Sequence, residues 1–138
     1  MRHFFALLVL SSILLLTSAC GFSSGSLHAV SIPAFNAHAG DYVDTSVIIV
    51  GFLSSSGGHV VLYLTEEHAI ASDKGNALYL ADLSPSEIPC LKSWVQIVGE
   101  VDYLPGLLFP GIVRTERISR VHPQDPESRE CFSKMDAA

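Results

Sequence analysis

The sequence has 138 residues, 49% of them hydrophobic and 16% charged, which leaves room for one compact domain and argues against a disordered chain. Arg2 is the only charged residue among the first 40, so everything after it carries 7 basic against 14 acidic side chains. A body of that charge repels phosphate, which argues against general DNA or RNA binding.

Residues 1–19 carry the three parts of an export signal. Arg2 and His3 form a short basic start, Phe4 to Leu16 an apolar run broken only by Ser11 and Ser12, and Thr17, Ser18 and Ala19 a stretch of small residues. The run is too short to span a bilayer, which takes about 20 apolar residues, but matches the roughly 7 to 15 of a signal sequence. The ending Leu16-Thr17-Ser18-Ala19-Cys20 resembles the lipobox of bacterial lipoproteins. That resemblance implies cleavage before Cys20, a diacylglycerol on its sulfur and attachment to the membrane through that lipid. Gly21, rather than Asp, follows the cysteine, which by the enterobacterial sorting rule implies the outer membrane, facing the periplasm. An ordinary signal peptide cut after Ala19 is the alternative.

Three cysteines leave one thiol over in an oxidising compartment. With Cys20 lipidated, Cys90 and Cys131 are the remaining pair, and the periplasm is where disulfides form and persist. Such a bridge is worth roughly 4 kcal/mol in the chain-entropy model; two separate thiols are the other reading. Residues 20–40 comprise the lipidated cysteine and a Ser-, Ala-, Gly- and His-rich stretch in which Ile32 and Phe35 are scattered apolar residues. Without period 2 or 3.6, this stretch reads as a flexible tether. Residues 41–122 read as the folded domain, and 123–138 as a polar, irregular tail tied back through Cys131.

Five strands are predicted in the domain. Val47 to Leu53 is a β-branched apolar run, and Ser54-Ser55-Ser56-Gly57-Gly58 turns it into Val60 to Thr65 as a hairpin. Thr65-Glu66-Glu67-His68-Ala69 has a capping residue and an acidic first turn, the pattern of a short helix. Asn76 to Leu83 forms the third strand. The fourth, Trp94 to Tyr103, alternates Val95, Ile97, Val101 and Tyr103 against Gln96, Glu100 and Asp102. In the fifth, Gly111 to Val121, the apolar positions Ile112, Val113, Ile118 and Val121 change parity, which predicts a bulge.

Gly51 and Gly99, inside strands one and four, permit the sharp bending that a small closed barrel needs. Val95-Gln96-Ile97-Val98-Gly99-Glu100-Val101-Asp102, with a later strand ending Ile118-Ser119-Arg120-Val121, resembles the closing half of OB-fold domains, including the bacterial exported OB-fold family. The resemblance implies an all-β fold: a small five-stranded OB-like Greek-key barrel with one or two short helical turns. The exported family has an aspartate- and glycine-bearing turn between strands two and three where this chain has Glu66-Glu67-His68, and none of its ligand-binding residues has a counterpart here.

Chemical motifs are sparse. There is no H-E-x-x-H, so no zinc helix is indicated, and no catalytic residue or cofactor is expected. OB-like barrels bind through the face of strands two and three and through the loops joining strands one to two and four to five. Tyr63 and Tyr79 fall on those strands, as barrel packing or as a binding platform. The loop Leu104-Pro105-Gly106-Leu107-Leu108-Phe109-Pro110-Gly111 places Leu107, Leu108 and Phe109 between prolines and glycines, as a contact surface or as a plug for the barrel end. Trp94 reads as a strand-edge anchor, and period-two geometry sets Arg117 opposite Arg114 and Arg120. The expected function is therefore a noncatalytic, lipid-anchored envelope module engaging a protein, peptide or small ligand through barrel loops. The alternative is a metal-handling or enzymatic accessory using His59, His68 and His122 with Glu66 and Glu67.

Overall fold

The computed structural model describes residues 26–104, 106–107, 110–121 and 130–134. Its strands are β1 (Leu27–Ala29), β2 (Ser46–Ser56), β3 (His59–Tyr63), β4 (Ala77–Leu80), β5 (Ser93–Tyr103), β6 (Pro110–Arg120) and β7 (Glu130–Ser133). Two short helices, α1 (Ile32–Ala37) and α2 (Glu66–Ile70), complete the regular structure together with three 3-10 turns. No helix among the described residues is long and apolar enough to cross a membrane.

Gly57 and Gly58 both have positive φ, 58° and 84°, the left-handed pair that a two-residue hairpin loop requires. They fold β3 back on the end of β2, with Ser56 opposite His59 and Phe52 opposite Tyr63. β3 then pairs antiparallel with β4, and β4 meets β6 in parallel at Leu80 and Ile112. β6 runs antiparallel to β5, and β5 returns antiparallel to β2 from Ser93–Leu53 to Glu100–Ser46. The order β2-β3-β4-β6-β5 thus closes on itself, giving the expected all-β, five-stranded OB-like barrel. β1 adds in parallel to the start of β2, and β7 adds antiparallel to the end of β6.

Closing so small a ring brings backbones together at two inward-facing glycines. A Cβ on Gly51 would lie 2.6 Å from the Tyr63 carbonyl oxygen, and one on Gly99 would lie 2.6 Å from Ile112 Cγ2 and 2.8 Å from the Arg114 carbonyl oxygen. Both gaps are below van der Waals contact, so only glycine fits. Val47, Ile49, Leu53, Val60, Leu62, Val95, Ile97, Val101, Ile112 and Ile118 fill the interior, all fully buried. Their period-two spacing is what turns each strand into half of a core.

The parity change in β6 has the predicted cause, in two steps. Register slips between Val98/Gly99 and Glu100/Val101 leave Glu116 and Val113 as extra residues. The extra Glu116 corrects the arginine geometry: Arg117 faces Val98 and Arg114 faces Glu100, two residues apart on one face of β5, so Arg114 and Arg117 share the outer face. Arg114 pairs with Glu100 there, while Arg120, on the other parity, donates to the Pro89 carbonyl at 3.2 Å. Tyr103, placed inward by simple alternation, is instead 54% exposed at the end of its strand. Trp94 lies on the outer wall, its ring edge-on to Phe52 across the β2–β5 pair.

The tether expected through residue 40 is corrected over residues 27–40. Ser31 caps α1 by accepting from the Ala34 N–H, Pro33 sits in its first turn, and Ile32 and Phe35 are 0% and 1% exposed. These two side chains join the barrel core, Phe35 stacking on Tyr42 at 5.8 Å. A single i, i+3 pair supplies too little sequence to display a period. The tail is likewise not wholly irregular, since Glu130–Ser133 forms β7, and Cys131 is joined to Cys90 as expected. The third strand is shorter than predicted, ending at Leu80.

Candidate functional site

Between the β4 flank of the barrel and the loop that follows β5 lies a cleft of about 620 Å³, within the range of small-molecule sites. Four separate pieces of chain form its walls. The β2–β3 hairpin ends at His59, on the outer face of β3; β4 contributes Ala77, Leu78 and Tyr79; α1 contributes Phe35 and Asn36; and the β5–β6 loop contributes Leu107 and Pro110. The His59 and Tyr79 rings meet edge-on at 6.2 Å. These are the two loops and the third-strand face where an OB-like barrel is expected to bind.

Lys74 reaches the cleft through a chain of local hydrogen bonds. Thr65 caps α2, its hydroxyl oxygen accepting from the His68 N–H at 3.4 Å, and the helix ends as Ser72 takes a left-handed φ of 51°. The Asp73 N–H then returns to the His68 carbonyl at 2.9 Å, a six-to-one closure of the helix end. Asp73 reverses the chain next: its carboxylate accepts from the Gly75 N–H and from Asn76 Nδ2, each at 2.9 Å. The Asn76 amide and the Gly75 N–H hold the Asp73 carboxyl below the ordinary aspartate range. Asn36 of α1 donates to the Gly75 carbonyl at 2.8 Å, so the helix and the turn that carries Lys74 are fastened together beneath the cleft.

The walls are mostly apolar. Lys74 and His59 are the ionisable bases among them, and no carboxylate lines the cleft among the described residues. Lys74 forms no ion pair among the described residues. A second groove, of about 650 Å³, lies along β5, β6 and β7, but it is lined by Glu116 and Glu130 as well as Arg117 and Lys134. Its charges offset one another.

Of the residues singled out from the sequence, Tyr79 and Leu107 come together in the cleft, Leu107 47% exposed on its rim. Tyr63 shares the outer face of β3 but is 2% exposed, packed with Val61, Ala77, Ala69 and Tyr79, so it is a packing residue. Leu104 at the start of the loop is buried against Gly111, whereas Leu107 is exposed. Leu108, Phe109, Cys20 and His122 lie outside the described residues. The accessory-site histidines are not gathered: His59 is on the cleft, while His68 holds Thr65 Oγ1 at 2.8 Å and stands 3.9 Å from Asp73. Among the described residues no three of His, Cys, Asp and Glu are grouped as metal ligands.

Lys74, Asn36 and Phe35 were not foreseen as site residues. Asp73-Lys74-Gly75-Asn76 carries a turn signature, which could have placed Lys74 on a loop but not against α1. Comparison with protein-family models, curated proteins and solved structures found no match to this chain.

Proposed function

We propose that the chain is a noncatalytic binding module of the bacterial cell envelope, held to the outer membrane by a lipid on Cys20 and taking a small, largely apolar ligand into the cleft beside β4. The cleft carries this reading: an apolar recess with few polar groups, at the junction of the two loops and the strand face that OB-like barrels use for binding. The export and anchoring part rests on residues 1–20. The Cys90–Cys131 bridge supports it, because it belongs to an oxidising compartment and leaves Cys20 as the cysteine outside the pair.

Two measurements test the reading. Radiolabelled palmitate should be incorporated by the wild-type chain and lost in Cys20→Ser; labelling that persists in the variant would contradict the anchor. A two-dimensional NMR titration with 4-phenylbutanol, a neutral aryl probe, should shift the amides of Gly75, Ala77 and Tyr79. Shifts confined to Arg117 and residues 130–134 would place binding in the other groove and contradict the assignment.

A further inference from the structure

The cleft has a charge of its own, opposite to that of the molecule around it. Downstream of residue 40 the chain carries 14 acidic against 7 basic side chains, yet among the described residues no acid lines this recess and Lys74 and His59 both do. The nearest acid in sequence, Asp73, makes no ion pair with Lys74. Both of its oxygens accept hydrogen bonds within the turn, from the Gly75 N–H and the Asn76 amide, and its nearest basic group is His68 at 3.9 Å. In the same cleft, Ala77, Tyr79 and Leu107 offer apolar surface and an aromatic ring.

We propose that the ligand is a small organic carboxylate with an aryl-sized apolar body. The carboxylate lies against the Lys74 ammonium and a ring N–H of His59, and the body lies along Ala77, Tyr79 and Leu107. This inference rests on the binding role proposed for the cleft and names the class of molecule it takes. A carboxylate is favoured over a neutral polar head because charge-assisted bonds to an ammonium are about twice as strong as neutral ones. A cation is disfavoured twice, by the loss of those bonds and by repulsion from Lys74. The compact, flexible ammonium of lysine binds an anion as a point charge, without the bidentate geometry that would select one planar group. Selectivity among carboxylates therefore falls to the fit of the apolar body.

The experiment uses the purified full chain and three diazirine-bearing probes of one shape: 4-phenylbutanoate, 4-phenylbutanol and 4-phenylbutylamine. Photolabelling is followed by peptide mapping and quantified against probe concentration. The carboxylate should half-saturate at about one-tenth the concentration of the alcohol, the scale of one charge-assisted hydrogen bond, with the amine weakest and label falling on residues 72–80. In Lys74→Gln, whose site of change is exposed, the carboxylate should lose its advantage over the alcohol to within about twofold. Equal labelling by carboxylate and alcohol in the wild type, or a carboxylate preference that survives Lys74→Gln, overturns this inference while leaving the cleft a binding site. Failure of all three probes to label the cleft overturns the binding role and the inference together.

Discussion

A single carboxylate, Asp82, closes the seam where β4 and β6 run side by side. It accepts from the Thr115 N–H at 2.7 Å and from the Thr115 hydroxyl at 2.9 Å, and Thr115 is fully buried next to the Glu116 bulge. Because the bulge takes that N–H out of the β5 ladder, the side chain of another strand must satisfy it. Asp82→Ala would leave two buried donors without partners and should cost about 1–3 kcal/mol in urea unfolding; a change below about 0.5 kcal/mol would show that water replaces the carboxylate. The alternating residues of β5 and the parity change in β6 are visible in the sequence, but the acceptor for Thr115 lies 33 positions away and no local pattern points to it. Leu107 is the converse case, legible as an apolar residue in a breaker-rich loop and found exposed. Leu107→Ser should leave stability within about 0.5 kcal/mol while weakening 4-phenylbutanol binding about tenfold, the scale of losing half a leucine's burial. Equal and large losses of stability and binding would mean that the side chain supports the fold rather than the cleft.

At the scale of elements, those built on repetition were legible and those built on a single contact were not. β2, β5 and β6 repeat an inward residue every second position, and the Gly57-Gly58 turn dictates its own hairpin. α1 buries only Ile32 and Phe35, and β7 is four residues long; both are fixed by what they pack against, which a local reading does not contain. The turn from Asp73 to Asn76 is intermediate, legible as a turn but not as the support of Lys74. Its behaviour with pH follows from Asp73, whose carboxyl is held low by its two donors. A depressed pKa means that the ionised carboxylate's contribution is present above the ordinary aspartate value of about 3.9 and lost as pH falls through the lower, folded value. The Gly75 amide proton should therefore titrate below pH 3.9 or so. A midpoint at or above that value would contradict the hydrogen-bonded turn.

For the molecule as a whole, ring closure leaves β1 and β7 as additions at the margins, and the two are secured differently. β1 is followed directly by α1, whose apolar residues enter the core, whereas β7 is joined by the Cys90–Cys131 bridge to the segment before β5. The pairing of these cysteines was legible from their number once Cys20 is set aside for the proposed lipidation, which leaves an even count. Reduction should lower stability by about 2–5 kcal/mol, and residues 130–134 should become the first to exchange their amides. Reduction that leaves both the melting temperature and that exchange unchanged would show that β7 is held by strand pairing alone. Ligand capture beside β4, the role proposed for the cleft, rests on the acidic body, on the lack of a carboxylate among the described lining residues and on the loops that frame the recess. Hydrogen–deuterium exchange of the full chain with and without 4-phenylbutanoate reads every segment at once. Ligand capture beside β4 should slow exchange at residues 74–80 and at Gly106 and Leu107, with β5 to β7 unaffected; slowing confined to β6 and β7, or at no segment, would contradict it.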